Sequence, residues 1–206
     1  MKIILSLNKN SKKLLSYLDT LYHYYMENKE TELISNMLID HILIATYISF
    51  HEVPFPQLNK VYIHKSTIEG LGVFAKENIS KGEIVSMYPS DTVRIYKGNI
   101  YYEACSDRTT NTNNEKYAYK TEQCVILGDP QFTKDMNLVG HIVNDSCQTD
   151  GLLENNIKYG LETMLKQNCV YYPYHIFVLI VASKDINKDE ELLVSYGVDY
   201  WTTINK

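Results

Sequence analysis

Three places in this chain carry residue types that do chemistry when a fold brings them together. Gly70-Leu-Gly72 sets two glycines around one residue, a pattern that makes a tight turn or lets backbone approach a ligand closely. It is no dinucleotide fingerprint, since neither a third glycine nor a helical pattern follows. Asn144-Asp-Ser-Cys147 supplies a side-chain amide. A buried amide is donor and acceptor at once, so it can read an amino group and a carbonyl together. The same Asn-Asp-Ser run also suits an Asx-turn at a strand end. Near the C-terminus, Asp189-Glu-Glu-Leu-Leu-Val-Ser-Tyr196-Gly197 is a charged turn and a short apolar run that delivers a tyrosine before a glycine. Cys147 and His141 are of the types that form a thiolate–imidazole pair, but no nucleophile signature surrounds them.

The elements that must position these residues change character along the chain. Residues 11–50 read as helical. Leu14, Leu18, Leu21 and Tyr25 form one apolar stripe, and Thr31 caps a second helix with a face of Leu33, Ile34, Met37, Leu38, Ile42, Ala45 and Ile48. Pro54 and Pro56 end this segment, taken as 1–58. It is expected to pack on the main domain, with a lid or a homodimer surface as the alternatives. From Val61 the period shortens: Val61–His64, Ile84–Met87, Tyr117–Tyr119, Cys124–Leu127, Ile176–Ala182 and Leu192–Val194 read as short strands. The polar stretch 105–116 reads as a loop. Residues 148–167 read as a helical insertion, with Leu152, Leu153, Ile157, Leu161 and Leu165 at helical spacing. Short strands with few helices predict a mainly β (α+β) domain over 59–197 and a short tail over 198–206.

Composition narrows the function classes. The 206 residues carry a net charge of −5, which speaks against bulk attraction to nucleic acid and suits a basic partner such as a lysine-rich peptide. The four cysteines are widely spaced, without a CxxC pair, so neither a disulfide framework nor a zinc site is expected. The N-terminal apolar run is too short for a signal peptide, and Ile42–Phe50 is too short to span a bilayer. The expectation is a soluble, intracellular protein with no membrane association, its compartment (nucleus or cytoplasm) undecided.

Taken in order, these motifs resemble the SET-domain protein-lysine methyltransferases over residues 61–201. Gly70-Leu-Gly-Val-Phe-Ala75 is similar to the family's opening GxGxFA turn, and Ile79-Ser-Lys-Gly-Glu-Ile-Val85 to the strand that follows it. Val178–Ile186 resembles the strand and turn before the last motif. Asn144-Asp-Ser-Cys147 corresponds to NHSC, and Glu190-Glu191-Leu192 through Tyr196-Gly197 to GEEL…DYG. The resemblance implies a SET-domain β-clip with a C-terminal pseudoknot, S-adenosylmethionine as cofactor, and methyl transfer to a lysine amine of a protein substrate, histone tails among them. It implies that Gly70, Gly72, Asn144 and Asp145 hold the cofactor. Tyr196 is placed as the catalytic hydroxyl and a cofactor neighbour, Trp201 as the aromatic that covers the adenine or closes the channel, and Tyr117 and Tyr119 as channel walls. No metal is implied.

The chain also departs from that pattern. Asp145 stands for the family's histidine, His141 for an arginine and Ser195 for an aspartate. No Pro-Asn follows Cys147; Asn168-Cys169, after the insertion, resembles the resumption of that element. The cysteine-rich zinc tail of some members is missing. A catalytically inactive SET-fold protein acting as a binding module is the alternative these departures raise.

The chemistry implied has a simple physical demand. A lysine amine titrates near 10.4, so at pH 7 roughly one in 2,500 is neutral and nucleophilic. An apolar channel beside a cation disfavours its charged form. Closing the gap of about 3.4 pKa units is worth roughly 4.6 kcal/mol.

Overall fold

The computed structural model describes residues 58–204 apart from positions 90, 98–99, 106–114, 121–123, 132, 151 and 175–176, together with positions 11–13, 15–16 and 19–20. Those seven N-terminal positions are helical, and the Ser11 hydroxyl accepts the Ile84 N–H at 2.9 Å. The rest of the expected helical pair, Thr31 and the stripe to Ile48 included, lies outside the described residues.

In chain order the first strands are β1 (Val61–Lys65), β2 (Leu71–Ala75), β3 (Ile84–Met87), β4 (Thr92–Lys97), β5 (Ile100–Cys105), β6 (Ala118–Lys120) and β7 (Cys124–Leu127). Then come β8 (Asn144–Asp145), helix α1 (Leu153–Lys166), β9 (Cys169–Tyr174), β10 (Phe177–Ala182), β11 (Leu193–Val194) and helix α2 (Val198–Ile204). They make four small sheets: a β1–β2 hairpin, a sheet of order β3-β10-β9, one of order β5-β4-β7-β6, and the parallel pair β8–β11.

The residues account for these pairings. All six positions of β10 are buried, because it has a partner on each edge and cover on each face; such a strand is continuously apolar rather than alternating. β9 is an edge of that sheet, and it carries Pro173, whose missing N–H costs least there. Val61, Val73, Ala75, Ile79, Val85, Val139, Val143, Ile180, Ile186, Leu192 and Val194 form one buried cluster that joins the hairpin, the β10 sheet and the C-terminal strand.

Differences from the sequence reading are local. β4, β5 and β9 were not expected as strands; β5 and β9 are rich in tyrosine and lack clean alternation, and β4 alternates only over Thr92–Ile95. The stretch 105–116 contributes Cys105 to β5 and Glu115–Tyr117 to a 3-10 turn. The C-terminal tail is helical over Val198–Ile204. Helix α1 is present, but its apolar stripe points to solvent: Ile157, Leu161, Met164 and Leu165 are exposed, whereas Tyr159 and Thr163 are buried. Among the described residues no helix is long and apolar enough to cross a membrane.

The C-terminal segment is clamped on both sides, and this is what builds the site. On one side, Ala75 N–H donates to Glu190 O at 2.9 Å and Leu192 N–H to Val73 O at 2.7 Å. On the other, Leu193 and Val194 pair with Asn144 and Asp145, and Ser146 N–H donates to Val194 O at 2.9 Å. Asn168 closes the clamp. Its amide donates to Glu191 O at 2.8 Å, and its carbonyl accepts Leu193 N–H at 2.8 Å. Two stretches far apart in sequence thus share one ladder, as the pseudoknot expectation requires.

Candidate active site

The turn between β1 and β2 forms the first wall. Gly70 has φ +53°, a conformation that side chains resist, and nothing lies within 4 Å of where its Cβ would stand. The Asn144 amide nitrogen reaches Glu69 O at 3.2 Å, Leu71 O at 3.1 Å and Glu191 Oε1 at 3.0 Å. Asn144 therefore ties this turn to the C-terminal segment. Gly72 packs against the C-terminal segment. It does not line the cavity; a Cβ there would overlap Glu191 Oε1. The missing side chain lets the Glu191 carboxylate lie against β2, where Oε2 accepts the Ser66 hydroxyl at 3.0 Å.

Asp145 is the centre of the second wall. Its Oδ2 accepts the Tyr159 hydroxyl at 2.7 Å, the Trp201 indole N–H at 2.9 Å and the Tyr196 backbone N–H at 3.0 Å. Its Oδ1 accepts Cys147 N–H at 3.1 Å. All four of these donors are neutral. Burial raises the Asp145 carboxyl above the usual range despite these hydrogen bonds, which pull the other way.

Tyr196 follows β11 directly. Its hydroxyl donates to Val143 O at 2.8 Å, one residue before β8. Its ring meets Tyr200 at 4.6 Å edge to face and lies nearly parallel to Trp201 at 6.3 Å, both from α2. Two cavities open on either side of it. The first, about 280 Å³, is bounded by the Gly70 turn, Tyr117, Asn144, Asp145 and Trp201. The second, about 690 Å³, is bounded by Tyr88, Tyr119, Tyr171, Ser195 and Gly197. Lys116, His141, Tyr196 and Tyr200 belong to both, so they form the common wall.

A family model described as SET domain matches residues 70–197 of this chain. The chain belongs to the SET-domain family. Methyl transfer is the general activity of that family, and S-adenosylmethionine its general cofactor. Among solved structures, a Plasmodium falciparum protein assigned provisionally as a histone methyltransferase is similar at 27% identity and a TM-score of 0.40, over 67% of this chain and 93% of that one. No curated protein sequence matches the chain.

In this SET domain the expected site residues gather at the first cavity with two exceptions, Gly72 and Tyr119. Tyr196, Gly70, Asn144, Asp145 and Trp201 surround the first cavity, while Gly72 stands behind it. Tyr117 and Tyr119, expected together in one channel, are divided: Tyr117 lines the first cavity and Tyr119 the second. His141 and Cys147 form no nucleophilic pair. His141 Nε2 bonds with Asp129 O at 3.1 Å and its ring packs on Tyr88 and Tyr117, whereas Cys147 Sγ points to Glu162 at 3.9 Å. Sequence reasoning missed Tyr88, Tyr171, Tyr200 and above all Tyr159. Only Tyr200, next to Trp201, had a signal near it; Tyr88 directly follows β3, Tyr171 lies in β9 and Tyr159 in α1, none of them in a motif.

The aromatic wall of the SET domain is electrically quiet. Tyr119 packs on Tyr171 at 5.0 Å and on Tyr88 at 5.8 Å, and the Tyr88 hydroxyl donates to Tyr117 O at 2.6 Å. Burial pushes the Tyr88, Tyr171 and Tyr196 phenols well above their ordinary value, and Tyr200 up to about 12. At neutral pH all four are therefore uncharged donors, not bases. Lys116 is held by Glu69 at 2.6 Å across the first cavity, and that hydrogen bond outweighs burial and raises its ammonium.

Proposed function

We propose that this protein transfers a methyl group from S-adenosylmethionine to the side-chain amine of a lysine in a protein substrate, with histone tails a fitting class because the chain is acidic overall. The observation that carries this reading is Tyr196 as the common wall of two cavities, one for the donor and one for the acceptor.

The first cavity suits a sulfonium cofactor by its donor set. The Asp145 carboxylate accepts four neutral donors and so has charge left to offer a cation, and the faces of Tyr196, Tyr200 and Trp201 favour one as well. The Gly70 turn, Asn144, Asp145 and Trp201 are the residues that would hold it. When bound, the cofactor supplies an electrophilic methyl on a positively charged sulfur.

The protein's own residues do the rest by position. Tyr88, Tyr119 and Tyr171 wall the second cavity with uncharged rings, which accept a lysine stem and exclude water. That environment disfavours the ammonium, so the lysine gives its proton to bulk water as it enters and is held as the neutral amine before attack. The Tyr196 hydroxyl has committed its proton to Val143 O, so only its lone pairs remain to orient an incoming N–H. Holding nitrogen and methyl in line supplies the remainder of the barrier reduction.

Methylation of a mixed lysine-peptide array, read by mass spectrometry, tests this reading. The expected result is a 14 Da gain on lysine that depends on S-adenosylmethionine and is lost in Tyr196→Phe or altered there in number. Saturable cofactor binding with no methyl transfer to any lysine peptide or core histone would instead favour the binding-module reading.

A further inference from the structure

We propose that Tyr159, on the helix inserted between β8 and β9, is a positioning residue for Tyr196, acting through the Asp145 carboxylate and the backbone of residues 195–197. This inference rests on the methyltransferase reading for its kinetic consequence, but not for its structural one.

Helix α1 turns its hydroxyl-bearing face inward. Its apolar stripe faces solvent, and a phenol is what it buries: Tyr159 is 4% exposed. That hydroxyl has three partners. It donates its one proton to Asp145 Oδ2 at 2.7 Å, so it accepts both Gly197 N–H at 3.0 Å and the Ser195 hydroxyl at 3.0 Å. The same Oδ2 accepts Tyr196 N–H at 3.0 Å. The backbone on both sides of Tyr196 is thus held by one phenol–carboxylate pair, while the Tyr196 hydroxyl is held separately by Val143 O. A buried polar network of this kind specifies one geometry only when each member is satisfied. Two departures from the family pattern, Asp145 and Ser195, both have side chains that hydrogen-bond to the Tyr159 hydroxyl. They read together with the insertion as one substituted assembly, not as separate losses.

Trp201 makes the assembly observable. It is the chain's single tryptophan, and its indole N–H donates to the same carboxylate oxygen. Its emission therefore reports the charge on Asp145. The groups facing that carboxylate are Tyr159 from α1, Tyr196 after β11, Tyr200 and Trp201 from α2, Cys147 beside β8, and His141 with the Lys116–Glu69 pair across the cavity. The informative quantity is the difference between wild type and variant, because the other groups are common to both.

The test uses the full chain and Tyr159→Phe. Removing the hydroxyl deletes a donor to the charged form of Asp145, so the carboxylate midpoint seen in Trp201 emission moves to higher pH. With substrate, kcat falls about tenfold or more, whereas KM for S-adenosylmethionine stays within about threefold, because alignment is lost and not the binding surface. Ser195→Ala gives the same signs at smaller size, and the double variant is no worse than Tyr159→Phe alone, as one network demands. Should Tyr159→Phe fail to fold, Ser195→Ala carries the test. Leu161→Gln, on the exposed face of the same helix, is the control that leaves both readouts unchanged. The proposal is overturned by an unmoved emission midpoint in the folded variants, by kcat within twofold of wild type, or by KM and kcat changing in step. If the wild type transfers no methyl group to any lysine, the functional reading fails, while the emission shift still decides the coupling.

Discussion

Removing the Asn168 side chain should unfasten the clamp that makes this site. Asn168 is 4% exposed and has no role in either cavity, so the effect is separable from ligand contact. Its amide donates to Glu191 O at 2.8 Å and to Glu190 Oε1 at 3.3 Å, and its carbonyl accepts Leu193 N–H at 2.8 Å. Asn168→Ala leaves one part-buried backbone carbonyl and one part-buried backbone N–H without these partners. Each orphaned group costs about 1–3 kcal/mol, so the total is roughly 2–6 kcal/mol. The Glu190 contact is long and adds little. Against a typical stability of about 5–15 kcal/mol, this is a large share. For a chain of this size each kcal/mol moves Tm by about 2–4 °C, so a fall of roughly 5–20 °C is expected. Thermal unfolding followed by circular dichroism measures it. Residues 190–194 also carry Glu191, which Asn144 and Ser66 hold, so cofactor affinity should drop with stability. A variant that melts within about 2 °C of wild type would refute the idea that this side chain fastens the C-terminal strand.

Four further outcomes follow from the geometry. Gly72→Ala should destabilise by about 1–3 kcal/mol and weaken cofactor binding, because the new methyl displaces the Glu191 carboxylate; calorimetry and a denaturant titration measure both. Asn144→Ala should weaken S-adenosylhomocysteine by about 1–3 kcal/mol through the freed Glu69 and Leu71 carbonyls, and unchanged affinity would remove Asn144 from the site. Tyr196→Phe should keep the fold at a cost of about 1 kcal/mol, for the lost bond to Val143 O, while turnover falls or the number of methyls added changes. The Asp145 carboxyl is raised in the folded state, so the native protein keeps its proton to higher pH than the unfolded chain does. Its contribution is fully present below the unfolded value and is lost as pH rises through the folded one. Asp145→Asn should therefore flatten the fall in Tm across that interval, and an identical pH profile in the variant would contradict it.

The motif residues were legible because their constraints are local or carried by residue type. A glycine pair suited to a tight turn, a tyrosine ending a short apolar run, and a seven-residue apolar stretch are each visible in a window of ten positions. The helix over 153–166 was legible from spacing for the same reason, since its stripe is periodic whether it faces core or solvent. β5 and β9 were not, because their tyrosine-rich runs show no clean alternation, and the alternation of β4 spans only Thr92–Ile95, too short to read alone.

What the sequence determined by itself was the presence of a glycine turn, an asparagine run and a terminal tyrosine, in an order that belongs to the SET domain. Only the tertiary structure decided what each does. Gly72 is small on account of Glu191, and Asn144 spends its amide on two backbone carbonyls and that same carboxylate. Asp145, which looked like a lost histidine, is the acceptor for an indole, a phenol and two backbone amides. The reason is that hydrogen-bond partners are set by distance in space. In a pseudoknot the closest neighbours of a residue lie tens of positions away along the chain, where no local pattern can record them.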